Sequence, residues 1–177
     1  MSNFKLHPFP PDRIVPQIEI SGRIDRHDDL LAIEYLVRGD LNAISIDPPT
    51  GSPTRKLDLW TATCFEFFIG VAGSPNYWEF NLAPTGDWNV YVLDDYRQGL
   101  RSEIAFELLP YTINRSANSL ILKLEFNLGK LIKNDLKLEV AVTAVIKSNQ
   151  AEISYWALTH TGTEADFHRR DSFTIAL

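Results

Sequence analysis

Residues 60–97 read W-T-A-T-C-F-E-F-F-I-G-V-A-G-S-P-N-Y-W-E-F-N-L-A-P-T-G-D-W-N-V-Y-V-L-D-D-Y-R. Two turn signals divide this stretch. Ala72–Asn76, A-G-S-P-N, has the length and composition of a hairpin loop, and Ala83–Asp87, A-P-T-G-D, makes a second one, with Pro fixing φ and Gly allowing φ above zero. Three consecutive antiparallel strands follow, at Cys64–Val71, Tyr77–Leu82 and Trp88–Leu93.

Side chains alternate across a strand, so Phe65, Phe67 and Ile69 share one face while Cys64, Glu66 and Phe68 share the other. In the next strand Trp78, Phe80 and Leu82 form an apolar face, opposite Tyr77, Glu79 and Asn81. Matching the apolar faces brings Glu66 and Glu79 together, on the side away from the core. The plainest reading of that side is the solvated face of an antiparallel sheet. The other reading is a recess. Phe68, Tyr77 and Asn81 share the face, and Trp60 and Trp88 stand at the mouths of the strands. Aromatic rings can pack on the C–H faces of a polyol while Glu and Asn take its hydroxyls.

Outward from this stretch the pattern is strand after strand. On the N-terminal side, strands are expected within Ile18–Gly22, Leu31–Arg38 and Ala43–Ile46, after a proline-rich lead spanning residues 1–13 that is read as an extended arm. Asp47–Arg55, D-P-P-T-G-S-P-T-R, is expected to stay outside any ladder. On the C-terminal side, strands are expected within Ile104–Asn114, Leu120–Leu128, Leu136–Ile146, Glu152–Leu158 and Ser172–Leu177, with a short helical turn in Leu128–Asn134. About ten short strands with no long amphipathic helix predict an all-β sandwich of two antiparallel sheets or a closed barrel. A chain of 177 residues suits a single such domain.

Composition removes several function classes. Hydrophobic residues make up 45% and charged residues 23%, ordinary values for a globular domain. No apolar run approaches the ~20 residues of a spanning helix. Met1–Arg13 lacks the apolar core of a secretion signal, so a cytoplasmic location and no membrane partner are expected. A net charge of −6 with no basic cluster argues against nucleic acid. The single cysteine, Cys64, excludes an internal disulfide and reads as a small core residue.

Two further clusters carry chemistry. Asp94-Asp95-Tyr96-Arg97 leaves the third strand, and Arg97 could hold one of the glutamates or meet an anionic ligand group; a surface ion pair is the alternative. Near the C-terminus lies Y-W-A-L-T-H-T-G-T-E-A-D-F-H-R-R-D-S-F, containing Trp156, His160, Asp166 and His168. His and carboxylate suit zinc or iron, but the spacing matches no established metal set. A hydrogen-bonded loop with no metal or other cofactor is the expectation. With Met1 the sole methionine, a Met/His haem pair is also disfavoured.

The blocks L-W-T-A-T-C-F-E-F-F, Y-W-E-F-N-L-A-P-T-G-D-W-N-V-Y, D-D-Y-R-Q-G-L-R and the C-terminal block resemble the DOMON-like superfamily, and within it stand-alone bacterial proteins similar to family 9 carbohydrate-binding modules. The most specific part is E-F-N-x-x-P-x-G-x-W at Glu79–Trp88. The resemblance implies a β-sandwich with a ligand at a concave sheet face or sandwich end. It places Trp60, Glu66, Glu79, Asn81 and Trp88 on characteristic positions, and Trp156, His160, Asp166 and His168 on the block of the stand-alone group. With Tyr96 and Arg97 these are the candidate ligand-binding residues. A non-catalytic module for a soluble sugar or other small molecule is the leading expectation. Glycoside cleavage by Glu66 and Glu79, or an interaction domain without a ligand, are the alternatives.

Overall fold

A computed structural model describes residues 1–12 and 14–177. Arg13, the last residue of the proline-rich lead, lies outside the described residues. The strands are β1 (Ser2–Lys5), β2 (His7–Phe9), β3 (Ile18–His27), β4 (Leu30–Gly39), β5 (Cys64–Val71), β6 (Tyr77–Leu82), β7 (Trp88–Leu93), β8 (Arg101–Ser102), β9 (Tyr111–Arg115), β10 (Ser119–Asn127), β11 (Leu138–Lys147), β12 (Ile153–Ala157) and β13 (Ile175–Ala176). Among the described residues only short 3₁₀ turns interrupt them, at Leu41–Ala43, Leu59–Thr61, Leu128–Lys130 and Arg170–Ser172.

The strands form two antiparallel sheets. One has five strands in the order β1-β3-β4-β10-β9; the other runs β2-β12-β11-β5-β6-β7-β8, with β13 pairing β11. One apolar core lies between them. It takes Ile20, Ile24, Ile33, Val37 and Leu122 from the first sheet, and Phe65, Phe67, Phe80, Val90 and Val142 from the second. Tyr35 crosses the gap: its hydroxyl donates to the Glu66 carbonyl at 2.6 Å, and its ring lies 5.2 Å from that of Phe65. The fold is therefore the expected β-sandwich.

The β5-β6-β7 meander has the predicted boundaries, and Gly86 turns its second hairpin at φ +95 with its N–H on the Ala83 carbonyl. Elsewhere the boundaries move. The lead is extended but not a loose arm, since β1 pairs β3 and β2 pairs β12. Ala43–Ile46 is no strand; Ile44 makes one isolated bridge to Ser148. Of Ile104–Asn114 only the part from Tyr111 onward is paired, and of Ser172–Leu177 only Ile175–Ala176.

Asp47–Arg55 does reach a ladder at its end. Arg55 bridges Trp88 in parallel, with Trp88 N–H donating to Thr54 and Lys56 N–H to Trp88, because the amides flanking Arg55 are not proline. Asp87, buried in the hairpin turn, secures the loop by accepting from Thr54 and from Lys56 at 2.6 Å. No helix among the described residues is long and apolar enough to cross a membrane.

Candidate functional site

The register of the larger sheet builds the site. Directly opposed residues share a face, and the ladder sets Thr143, Glu66, Asn81 and Asn89 in one row, with Ala141, Phe68, Glu79 and Tyr91 in the next. Glu66 and Glu79 thus occupy neighbouring rows on the outer face, as the alternation implies. That face is not solvated. Glu66 is 2% and Glu79 5% exposed.

The cover comes from both ends of the meander and from the C-terminal segment. Phe68, Tyr77, Tyr91, Leu93, Ala141 and Phe173 form a second apolar cluster on this outer side, with Phe167 packed against it. Arg97, at φ +53, holds a left-handed conformation uncommon for a non-glycine residue, and its N–H donates to the Tyr77 hydroxyl at 3.3 Å. Its guanidinium meets Asp166 at 2.9 Å, and the Tyr96 hydroxyl donates to the same carboxylate at 2.6 Å. Asp166 also accepts from the His168 N–H. Burial raises the Asp166 pKa, but the bonds from Tyr96 and Arg97 outweigh it and hold the group below the usual carboxylate range.

His168 lies on the cover's inner side. Its Nδ1 is 2.9 Å from the Tyr77 hydroxyl and its Nε2 3.9 Å from Glu79 Oε2. Burial and the neighbouring Arg97 charge bring its pKa down to about 4, so near neutrality this is not an ion pair. The Tyr77 oxygen also accepts from the Arg97 N–H, so this one hydroxyl joins the turn after β7 to the imidazole.

The carboxyls move the other way. Burial, and then the Glu79 charge, push Glu66 well up, partly offset by the Cys64 thiol and Thr143 hydroxyl. Burial also raises Glu79, against the Asn81 amide, which donates to its Oε1 at 2.8 Å, and the Arg97 charge. Glu66 Oε1 has no hydrogen-bond partner. Burial likewise lifts the Cys64 thiol, which makes it a poor nucleophile at neutral pH.

Above the glutamates lies a recess of about 380 Å³, lined by Trp60, Glu66, Phe68, Glu79, Arg97, Leu100, Val145, Tyr155, Ala165, Phe167 and His168. Trp60, 38% exposed on the Leu59–Thr61 turn, stands edge-on to Tyr91 at 5.9 Å. Of the predicted residues, Trp60, Glu66, Glu79, Arg97 and His168 meet here. Asn81, Tyr96 and Asp166 stand behind them as hydrogen-bond partners.

Three expectations are corrected. Trp88 opposes Leu82 and therefore points into the core, 1% exposed, with Arg55 stacked 4.3 Å over its ring. Trp156 opposes Ala144, which opposes Phe65, so it too faces the core. His160 bonds the His7 carbonyl at 2.8 Å and packs on Phe9, outside the recess lining. Tyr155 and Phe167 were missed. Alternation with Trp156 would have found Tyr155; nothing local marks Phe167. Among the described residues no group of three or more His, Cys, Asp or Glu is placed to hold a metal ion.

A larger hollow, about 510 Å³, lies on the outer face of the five-stranded sheet, but most of its charges already pair: Lys123 with Glu34 at 2.8 Å, Arg23 with Glu34 at 3.3 Å, and the Met1 amine with Asp25 at 2.7 Å. The covered recess, with an unpartnered carboxyl oxygen, is the better candidate.

No protein-family model matches the sequence, and no curated protein does. Solved structures do. A protein from Bacteroides uniformis ATCC 8492, proposed to bind carbohydrate, superposes with a TM-score of 0.67 over 97% of this chain and 84% of its own, at 14% identity. The fold is also similar to that of family 9 carbohydrate-binding modules. A family 9 module from Caldicellulosiruptor kristjanssonii, solved with glucose, matches with a TM-score of 0.51 over 82% of this chain and 69% of its own, at 10% identity. A family 9 module from the same organism solved with cellotriose gives 0.52 over 82% of this chain and 67% of its own, at 8% identity. At these identities the family 9 likeness is one of architecture, and the recess has to be argued from its own residues.

Proposed function

We propose that this family 9-like sandwich is a non-catalytic binding module for a soluble sugar or polyol, held in the recess above Glu66 and Glu79. The observation that carries the reading is the meeting of an exposed indole, Trp60, with two buried carboxyls and a guanidinium in one small recess. Rings stack on the apolar faces of a sugar, while carboxyls and Arg97 bond its hydroxyls in fixed directions. A volume of about 380 Å³ suits a small ligand better than a polymer surface. The glucose and cellotriose bound by the fold neighbours support the ligand class. A reduced, buried Cys64 is consistent with a cytoplasmic setting.

The test is titration with soluble mono- and oligosaccharides, followed by tryptophan fluorescence and calorimetry. Trp60→Ala should weaken binding at least tenfold, the ~1.4 kcal/mol scale of one lost stacking contact, without changing the circular dichroism spectrum. Absence of any heat or fluorescence change at millimolar sugar would sink the reading.

The raised pKa of Glu66 gives glycoside cleavage a foothold. Against it, Glu66 and Glu79 project from adjacent strands of one floor, whereas hydrolysis needs two carboxyls flanking the scissile bond. Turnover of an activated glycoside that disappears in Glu79→Gln would favour the enzyme.

A further inference from the structure

The recess holds more acidic groups than cations. Glu66, Glu79 and the adjoining Asp166 face a single guanidinium, Arg97, which Asp166 already engages at 2.9 Å. No lysine lines the recess among the described residues. His168 adds no cation near neutrality, because burial holds it uncharged. Glu79 Oε1 takes the Asn81 amide, but Glu66 Oε1 accepts no hydrogen bond although the residue is almost fully buried. A buried carboxyl oxygen without a donor is costly unless something brings one.

Building on the proposed ligand site, we infer that the natural ligand carries an ammonium group, as an amino sugar does, and that this group pairs with Glu66. The aromatic lining fits the same class. Trp60, Phe68, Tyr155 and Phe167 surround the carboxyls, and ring faces attract a desolvated cation that an uncharged sugar cannot exploit. The terminal torsion of a glutamate is soft and two-fold, so Oε1 can turn toward a ligand without moving the strand.

The experiment compares glucose, glucosamine and N-acetylglucosamine by calorimetry on the whole chain, in buffer near pH 7, where a sugar's free amine is still largely protonated and Glu66 is not driven further toward its neutral form by acid. Glucosamine should bind at least tenfold more tightly than either uncharged sugar. Glu66→Gln, nearly isosteric, should remove that preference. Equal affinities in the parent chain, or a preference that survives Glu66→Gln, would overturn the ammonium pairing and leave the carbohydrate reading standing. Failure of all three sugars to bind would overturn both. Should Glu66→Gln not fold, as judged by circular dichroism, the glucosamine to N-acetylglucosamine ratio of the parent chain decides alone.

Discussion

The two sheets turn opposite kinds of outer face to the outside. On the five-stranded sheet, Arg23, Glu34 and Lys123 stand in one register row, open to water and paired with one another. On the larger sheet the corresponding side carries Glu66, Phe68 and Glu79, buried beneath Tyr96, Arg97 and residues 165–173. Both faces are the non-core side of an antiparallel sheet with the same alternation. What separates them is whether another part of the chain returns to cover them. The covered face has carboxyls pushed toward the neutral form and an imidazole held neutral; the open face has ordinary surface ion pairs.

The comparison is broken most easily at Phe68. Its ring packs among Tyr77, Phe167, His168 and Phe173, so Phe68→Ala should lose about 3–5 kcal/mol in urea denaturation. Arg23→Ala on the open face should stay within about 1 kcal/mol. Comparable losses at the two positions would mean the covered face is no second core.

A second effect separates by pH. Between pH 6.5 and about 4 the unfolded His168 binds a proton that the folded one does not, so its contribution is complete above 6.5 and fades as pH falls through that window. Glu66 and Glu79 act in the reverse sense, losing stability as pH rises through their elevated folded values. His168→Gln should therefore close the gap in melting temperature with the parent as the buffer is taken from pH 6.5 toward 4. A gap that stays constant would place His168 in contact with water.

The smallest expected change is at the latch. Arg97 is about half exposed in its pair with Asp166, so Arg97→Ala should cost about 1 kcal/mol or less globally. Its readout is hydrogen exchange, which should quicken at residues 162–169 while β10 stays protected.

Much of this was legible before any coordinates. Alternation in Cys64–Val71 and Tyr77–Leu82 separates core phenylalanines from the Glu66–Glu79 pair, because period two is a backbone property. Trp88 was misplaced for want of register: its composition is ambiguous, and only its pairing with Leu82 sends it inward. Trp156 failed for the same reason. The depth of the site was not legible at all, since no local pattern announces that residues 165–173 fold back over strands placed far earlier.

The first strands add a consequence in kinetic terms. β1 joins one sheet and β2 the other, and β2 sets Phe9 opposite Tyr155, a wall of the recess. That ladder ties together segments nearly the whole chain apart. Contacts of such separation must overcome a large loop-closure entropy before they repay it, which slows folding. On its β11 side the Tyr155 wall is braced by a near neighbour, and on its β2 side only after these distant segments have met.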